Sequence, residues 1–147
     1  MLTLLALSSG TAYATQRSSY GKPGGADYSA IADVIKSNSQ PHDCVVFGFA
    51  QHEPLRAAAA ARPDAFAQLD DVAAGVSGAY AAQLWTQDLP VDSDTVRPRL
   101  ASCTVLWAII DRETPTPVVE AAQRQGLTID RQWQLNRSRV VRLKRPS

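Results

Sequence analysis

The stretch CTVLWAII, residues 103–110, is apolar apart from Thr104 and is followed by the charged pair Asp111 and Arg112. Residues 43–48, DCVVFG, form a second run of the same kind. A short, continuously apolar run rich in valine and isoleucine is typical of a strand that is buried on both faces of a sheet. These two runs therefore predict the centre of the fold.

Helical patterns lie around the two predicted strands. Apolar side chains in residues 28–35 recur at helical spacing, residues 57–61 are five alanines, and residues 96–101 favour a brief helix. Residues 118–125 follow two prolines and are followed by Gly126, which is a natural helix stop. We therefore expect helices before, between and after the apolar strands.

The C-terminal part of the chain alternates between apolar and polar residues. This pattern predicts two strands, residues 127–135 and 139–144, joined as a hairpin, with Ile129, Trp133 and Leu135 on one face of the first strand. Residues 64–95 carry no clear pattern, although a short strand or turn is expected within residues 66–72. The order of elements predicts an α/β fold: a Rossmann-like, three-layer domain with a mainly parallel sheet and a C-terminal antiparallel hairpin.

Composition excludes several classes of protein. The 147 residues include 15 basic and 14 acidic side chains, and a net charge of +1 argues against nucleic-acid binding through bulk charge. Two cysteines are too few for a disulfide-framework miniprotein. The chain has no C-x-x-C or H-E-x-x-H pair and only two histidines, so we expect no metal site.

The first sixteen residues carry no charge, and their beginning is apolar. Residues 1–14 fit the end of a truncated transmembrane helix, a signal-like segment or a plain N-terminal tail. Residues 15–26 contain serine, glycine and proline without periodicity and predict a linker. Residues 27–147 are expected to form a single α/β domain, in which Asp27 can cap the first helix.

Polar side chains follow both central strands. Gln51, His52 and Glu53 come after the first strand, and Asp111 and Arg112 come after the second. In an open α/β sheet, ligands bind beyond the carboxyl ends of the strands, so these residues form a candidate ligand site if the two strands are neighbours. Ordinary loop solvation and helix capping explain the same residues.

A catalytic site is harder to assign. The chain has no G-x-S-x-G motif, and His42 and His52 are expected at opposite ends of one strand. We therefore assign no catalytic residue.

Cys44 and Cys103 each begin a predicted strand, and neighbouring parallel strands would allow a disulfide if the chain is exported. Two free cysteines, buried as small apolar side chains, are the alternative.

Basic residues dominate the end of the chain. Residues 131–145 hold six arginine or lysine side chains and no acid. They fit a solvated edge hairpin protected by charge, or contacts with anionic lipid headgroups or a phosphorylated carrier.

Five segments carry a resemblance to a known family: residues 17–22 (RSSYGK), 27–35 (DYSAIADVI), 43–47 (DCVVF), 104–112 (TVLWAIIDR) and 133–143 (WQLNRSRVVRL). Together they resemble the C-terminal extracytoplasmic domain of actinobacterial membrane glycosyltransferases of the GT-C type, which are mannosyltransferase-like enzymes. The resemblance implies a domain on the extracytoplasmic side of the cell membrane that covers the site or recognises the acceptor.

The resemblance transfers no catalytic residue, because the catalytic acids of the family lie in an early extracytoplasmic loop to which nothing here corresponds. It implies a polyprenyl-phosphate sugar donor for the whole enzyme, with mannose as the expected sugar and a divalent metal as a further candidate, but no cofactor in this chain. The expected partners are the membrane, through the N-terminal segment, and a lipid-linked sugar or glycan acceptor, with no nucleic acid. A freestanding exported module that binds a small or glycan ligand is the alternative, and a soluble hydrolase with an unrecognised site is a third.

Overall fold

The computed structural model describes residues 27–50, 53–80, 86–112 and 117–146. The strands are β1 (Cys44–Phe47), β2 (Phe49–Ala50), β3 (Glu53–Pro54), β4 (Asp70–Asp71), β5 (Val105–Asp111), β6 (Thr128–Gln134) and β7 (Ser138–Lys144). The helices are α1 (Tyr28–Asn38), α2 (Ala57–Ala61), α3 (Val96–Ser102) and α4 (Pro117–Arg124), with a 3₁₀ turn at Pro63–Ala65.

Five strands form one mixed sheet in the order β4-β1-β5-β7-β6, and β2 pairs only with β3. The pairs β1–β4 and β1–β5 are parallel, whereas β5–β7 and β6–β7 are antiparallel. The α/β class and the C-terminal hairpin are thus confirmed. The predicted excess of parallel pairing is not confirmed, because the five-stranded sheet has two parallel and two antiparallel strand pairs. The Rossmann-like description stays a prediction.

Helices cover both faces of the sheet, which gives three layers. Ile31 and Ile35 of α1 and Ala58 of α2 pack with Trp107 and Ile109 on one face. On the other face, side chains of α3 and α4 pack with alternate residues of the strands; this cluster includes Leu100, Ala122, Leu106, Ala108 and Val141. Since β5 contributes to both clusters, its continuous apolar character follows from burial on both sides.

The chain passes over opposite faces of the sheet on its two crossovers. It leaves β1, runs through α2 on the first face and reaches β4 at the edge of the sheet. From β4 it continues to α3 on the second face and then enters β5 on the other side of β1. The direction of winding therefore changes at β1, between its neighbours β4 and β5.

The ends of the elements agree closely with the sequence patterns. The helix predicted over residues 118–125 spans Pro117–Arg124, and Gly126 follows it with a φ of 83°, a left-handed conformation that glycine adopts without strain. Within residues 64–95, the expected short strand or turn is β4, preceded by the 3₁₀ turn.

One detail of the hairpin was predicted wrongly. A register shift between Ile129 and Arg131 places Ile129 opposite Leu143 and Trp133 opposite Val140, on different faces of the sheet. Ile129 is 42% exposed, whereas Trp133 packs against the α1 side. A β-bulge inserts one residue and so reverses the alternation beyond it.

Residues 1–14 and the linker at 15–26 lie outside the described residues. Within the described ranges, no helix is both long and apolar enough to cross a membrane.

Candidate functional site at the carboxyl edge of the sheet

The carboxyl ends of β1 and β5 lie side by side. The two strands are parallel neighbours, with Phe47 opposite Ile109, and the backbone N–H of Gly48 donates to the carbonyl oxygen of Ile109 at 2.8 Å. Because the winding direction changes at β1, this is the position at which open α/β sheets leave a crevice for ligands. We call this region, comprising Gly48, Asp111, Arg112 and the β6–β7 turn (residues 135–137), the carboxyl edge.

The structure brings together part of the predicted ligand site. Asp111 is the last residue of β5 and is buried, and Arg112 follows it and is exposed. Glu53 begins β3, which pairs with β2, so the chain turns back on itself directly after β1. Gln51 and His52 lie outside the described residues. The condition set by the sequence, that the two strands be neighbours, is met.

Arg112 is held against the β6–β7 turn. Its backbone N–H donates to the carbonyl of Arg137 at 3.1 Å, and its Nη1 donates to the carbonyls of Leu135 and Asn136 at 3.5 and 3.2 Å. Of the three guanidinium nitrogens of Arg112, Nη1 alone donates to the described residues of the turn. The other N–H groups of this exposed arginine can therefore serve an anionic or hydroxylated ligand.

Asp27 is a buried carboxylate whose hydrogen bonds the sequence did not predict. It occupies the N-cap position of α1, as expected, but its side chain makes no capping hydrogen bond to that helix. Instead, Oδ2 accepts from the backbone N–H of Arg137 at 2.6 Å, from the N–H of Ser138 at 2.8 Å and from the hydroxyl of Ser138 at 2.8 Å. The carboxylate caps the β6–β7 turn because the turn offers three convergent donors.

The surroundings of Asp27 combine burial with incomplete hydrogen bonding. Asp27 is 1% exposed, and its Oδ1 has no hydrogen-bond partner in the part of the chain that the structure describes. Asp111 is paired with Ser138 in the antiparallel ladder, so two buried acids flank this serine. Ser138 is itself 1% exposed, and its hydroxyl is engaged by Asp27; it is therefore not presented to a substrate.

A buried ionic cluster lies where β1 and β4 end. The guanidinium of Arg56 donates to the carboxylates of Asp71 and Asp88, with Nη2 3.0 Å from Asp71 Oδ1 and Nε 2.9 Å from Asp88 Oδ1. Its carbon Cζ lies 4.6 Å from the centre of the Phe47 ring. Arg56 is 5% exposed, and the cluster fixes the loop that carries Asp88 to the end of the sheet.

Burial shifts the pKa values of Arg56 and Asp88 in opposite directions. Burial alone lowers the pKa of Arg56, but the hydrogen bonds that it donates to Asp71 and Asp88 raise the pKa above its usual range. Burial raises the pKa of Asp88, and the hydrogen bond from Arg56 opposes this rise only in part. No sequence pattern indicates this cluster, because Asp71 and Asp88 are 15 and 32 positions away from Arg56.

The two cysteines form a disulfide at the opposite end of the sheet. Cys44 begins β1, Cys103 follows α3, and their Cα atoms are 6.0 Å apart. Both residues are buried, with exposures of 7% and 2%. The bridge joins the two central strands near their amino ends and closes a loop that contains both crossovers.

Comparison of the chain with protein-family models, with curated proteins and with solved structures finds no match. The resemblance to GT-C transferases therefore stays a prediction from the sequence. Within the described ranges, no group of three or more histidine, cysteine, aspartate or glutamate residues is placed to hold a metal ion.

Most basic side chains of the C-terminal hairpin have partners inside the domain. Arg142 and Lys144 both contact Asp130, Arg131 lies over the ring of Trp133 with 4.9 Å between Cζ and the ring centre, and Arg145 donates to backbone carbonyls. The hydrogen bond from Arg142 holds the pKa of Asp130 below its usual range. These contacts favour a structural role for most of the hairpin cations, at the end of the sheet opposite the β6–β7 turn.

Proposed function

We propose that the chain is the non-catalytic extracytoplasmic domain of a membrane glycosyltransferase of the GT-C type. The whole enzyme would transfer a sugar, expected to be mannose, from a polyprenyl-phosphate donor. The domain would bind part of the lipid-linked sugar or the glycan acceptor at the carboxyl edge, and other segments of the enzyme would supply the catalytic acids.

The observation that carries the extracytoplasmic placement is the disulfide between Cys44 and Cys103. Disulfides persist in oxidising compartments and are rare where thiols are kept reduced. Because both cysteines are buried and the bridge joins two central strands, it belongs to the framework of the fold and not to a reactive surface site.

The binding role is supported by the winding of the parallel part of the sheet. The strands β4, β1 and β5 are connected over opposite faces of the sheet, and in open α/β sheets ligands bind beyond the carboxyl ends of the two strands at which the winding direction changes. Arg112 supplies N–H donors at the carboxyl edge, and such donors suit hydroxyl-rich or anionic ligands.

A freestanding exported binding module is the second candidate function. The order and connections of the strands favour it equally, because a switch in winding direction marks a ligand site whatever else the protein is attached to. The two candidates differ in the ligand: a module has its own small ligand, whereas the transferase domain should recognise a mannosyl or polyprenyl-phosphate compound.

Two measurements on the full chain test the proposal. In an assay with a polyprenyl-phosphate mannose donor and a mannosyl acceptor, the chain alone should transfer no sugar. In NMR titrations with the same compounds, the amide signals of Gly48, Arg112 and Asn136 should shift. An Arg112→Gln variant should weaken this binding about tenfold, as expected for a lost charged hydrogen bond, and Arg124→Gln on α4 should not.

Either of two results would overturn the proposal. Sugar transfer by the chain alone would make the domain catalytic. Shifts at the carboxyl edge with unrelated small solutes, combined with none from mannosyl or polyprenyl-phosphate compounds, would favour the freestanding module.

A further inference from the structure

We propose that a cavity at the amino ends of β1 and β4 binds a single neutral sugar ring. The cavity has a volume of about 210 Å³ and lies between the end of α1 and the segment that leads into β4. It is lined by Lys36 and by residues 39–41, 64–65 and 68–69, and we call it the amino-edge cavity. It lies at the end of the sheet opposite the carboxyl edge, and the inference does not rest on the proposed function.

Three polar side chains of the lining are not used by the fold. Ser39, Gln40 and Gln68 supply one hydroxyl and two carboxamides, and none of these side chains has a hydrogen-bond partner among the described residues. A carboxamide both donates and accepts hydrogen bonds, as a ligand hydroxyl does. The set therefore suits a ligand with several neighbouring hydroxyl groups.

The charges around the cavity are balanced. Lys36 Nζ lies 2.7 Å from Asp64 Oδ2, and the guanidinium of Arg62 lies 3.5 Å from Asp64 and 3.6 Å from Asp33. Two basic and two acidic side chains thus neutralise one another, and the cavity offers no net charge that would attract an ion. This balance favours a neutral ligand.

The rest of the lining is apolar and indicates a ring. Ala65 is buried, Leu69 is half-buried and packs against the core on the α1 side, and Pro41 lies beside them. A sugar ring has an apolar C–H face and a rim of hydroxyl groups, so it can contact both parts of such a lining. The volume is below the roughly 300–1,000 Å³ of pockets for drug-sized ligands, which limits the ligand to one ring.

Backbone hydrogen bonds hold the two sides of the cavity together. The N–H of His42 donates to the carbonyl of Gln68 at 2.8 Å, and the N–H of Gln40 donates to Oδ2 of Asp43 at 3.0 Å. His42 has a φ of 67°, a left-handed conformation that is uncommon for a residue with a side chain. Because the lining is fixed before the ligand arrives, binding costs little conformational freedom of the chain.

NMR titration of the full chain with methyl α-mannopyranoside and methyl β-glucopyranoside tests the inference. The amide signals of Gln40, Gln68 and Leu69 should shift and saturate with a Kd on the order of 1 mM for at least one of them, as expected for so small a ligand. Sorbitol carries its hydroxyls on a flexible chain and should bind more weakly, because it loses more rotational freedom. No shift with either glycoside, or equal binding of sorbitol, would overturn the inference.

Two variants test the assigned contacts. Gln40→Ala and Gln68→Ala should each weaken binding of the glycoside about fivefold, as expected for one lost neutral hydrogen bond. Gln123→Ala, on the exposed side of α4 and outside the cavity, is the matched control and should leave the affinity unchanged. Equal affinities in all three variants would contradict the assigned contacts.

A charged sugar tests the neutral class of the ligand. Methyl β-glucuronide adds a carboxylate to the same ring and should bind no more tightly than methyl β-glucopyranoside. Tighter binding that is lost in Lys36→Gln would show an anion site and would overturn the inference.

The same spectra separate this inference from the proposed function. Signals of Gly48, Arg112 and Asn136 report on the carboxyl edge, and those of Gln40 and Gln68 report on the amino-edge cavity. Shifts at the carboxyl edge alone would overturn this inference and leave the proposed function standing. Shifts at the amino-edge cavity alone would support this inference and count against binding at the carboxyl edge.

Discussion

Asp27 and Ser138 are 111 positions apart in the sequence, yet the hydroxyl of Ser138 donates to Oδ2 of Asp27 at 2.8 Å. The same oxygen also accepts the backbone N–H groups of Arg137 and Ser138. One buried carboxylate therefore joins the start of α1 to the turn between the last two strands.

Removal of this carboxylate should destabilise the domain. In Asp27→Ala, the buried N–H and O–H groups of Ser138 lose their acceptor, and we expect the free energy of unfolding to fall by about 3 kcal/mol. Urea unfolding followed by circular dichroism measures the loss. Asp33→Ala on the exposed side of α1, where the carboxylate is 3.6 Å from Arg62, is the matched control and should change stability by less than about 0.5 kcal/mol. Equal losses in both variants would contradict the assigned role.

Arg56 should be much more important for stability than an exposed arginine in a similar pair. Arg56→Met leaves the carboxylates of Asp71 and Asp88 without their partner in a buried position, which typically costs about 3–5 kcal/mol. Arg97→Gln removes the exposed partner of Asp94 and should cost less than about 1 kcal/mol. Chemical unfolding of both variants in parallel provides the comparison, and a small effect of Arg56→Met would show that the cluster is not a stabilising element.

The ion pair between Asp130 and Arg142 predicts a specific dependence on pH. Because hydrogen bonding to Arg142 lowers the pKa of Asp130 in the folded state, this carboxylate stabilises the fold above its unfolded pKa of about 3.9. The contribution is lost as the pH falls through the lower, folded-state pKa. In Arg142→Gln, the pKa of Asp130 should rise towards its ordinary value, as measured by carbon-detected NMR titration.

Asp64 serves as an internal control in the same titration. Its pKa is lowered by a hydrogen bond from Lys36, on a different part of the surface. The pKa of Asp64 should therefore be the same in the wild-type chain and in Arg142→Gln. A shift of both carboxylates would indicate a general structural change and not the loss of one ion pair.

The disulfide should contribute strongly to stability. Cys44 and Cys103 are separated by 59 positions, and closing a loop of that size lowers the entropy of the unfolded chain by an amount equivalent to about 4 kcal/mol in the chain-entropy model. A double variant, Cys44→Ala with Cys103→Ala, should lose a comparable part of its unfolding free energy.

Mass spectrometry provides the direct check on the bridge itself. Chain recovered from an oxidising compartment should yield a peptide pair linked through Cys44 and Cys103 without reduction. Two free thiols in such material would contradict both the bridge and the extracytoplasmic placement that depends on it.

Much of the fold could be predicted from the sequence, because its signals are local. The apolar character of residues 103–110 results from burial on both faces, and the spacing of Ile31 and Ile35 results from one buried helix face. The ligand site depends on β1 and β5 being adjacent in the sheet, and from the sequence this could be stated only as a condition. Strand order is set by tertiary packing and by the crossovers, which leave no local pattern.

The parts that could not be predicted depend on contacts between distant residues. Asp27 occupies the N-cap position of α1, as its neighbours in the sequence predict, but the donors to its carboxylate belong to the far end of the chain. No local pattern around Arg56 indicates that it is buried. Its burial follows from two acids that the loops bring to it. The bulge near Ile129 likewise had no composition signal.

The hydrogen bonds between Asp27 and the β6–β7 turn also determine how the domain would respond to mechanical force. A pull applied to the chain ahead of Asp27 reaches the β6–β7 turn directly through the hydrogen bonds of Oδ2. The load is then shared by the antiparallel ladder between β5 and β7, which would have to shear as a unit. The first and last elements that the structure describes would therefore act as one mechanical anchor, and α1 would not detach alone under tension.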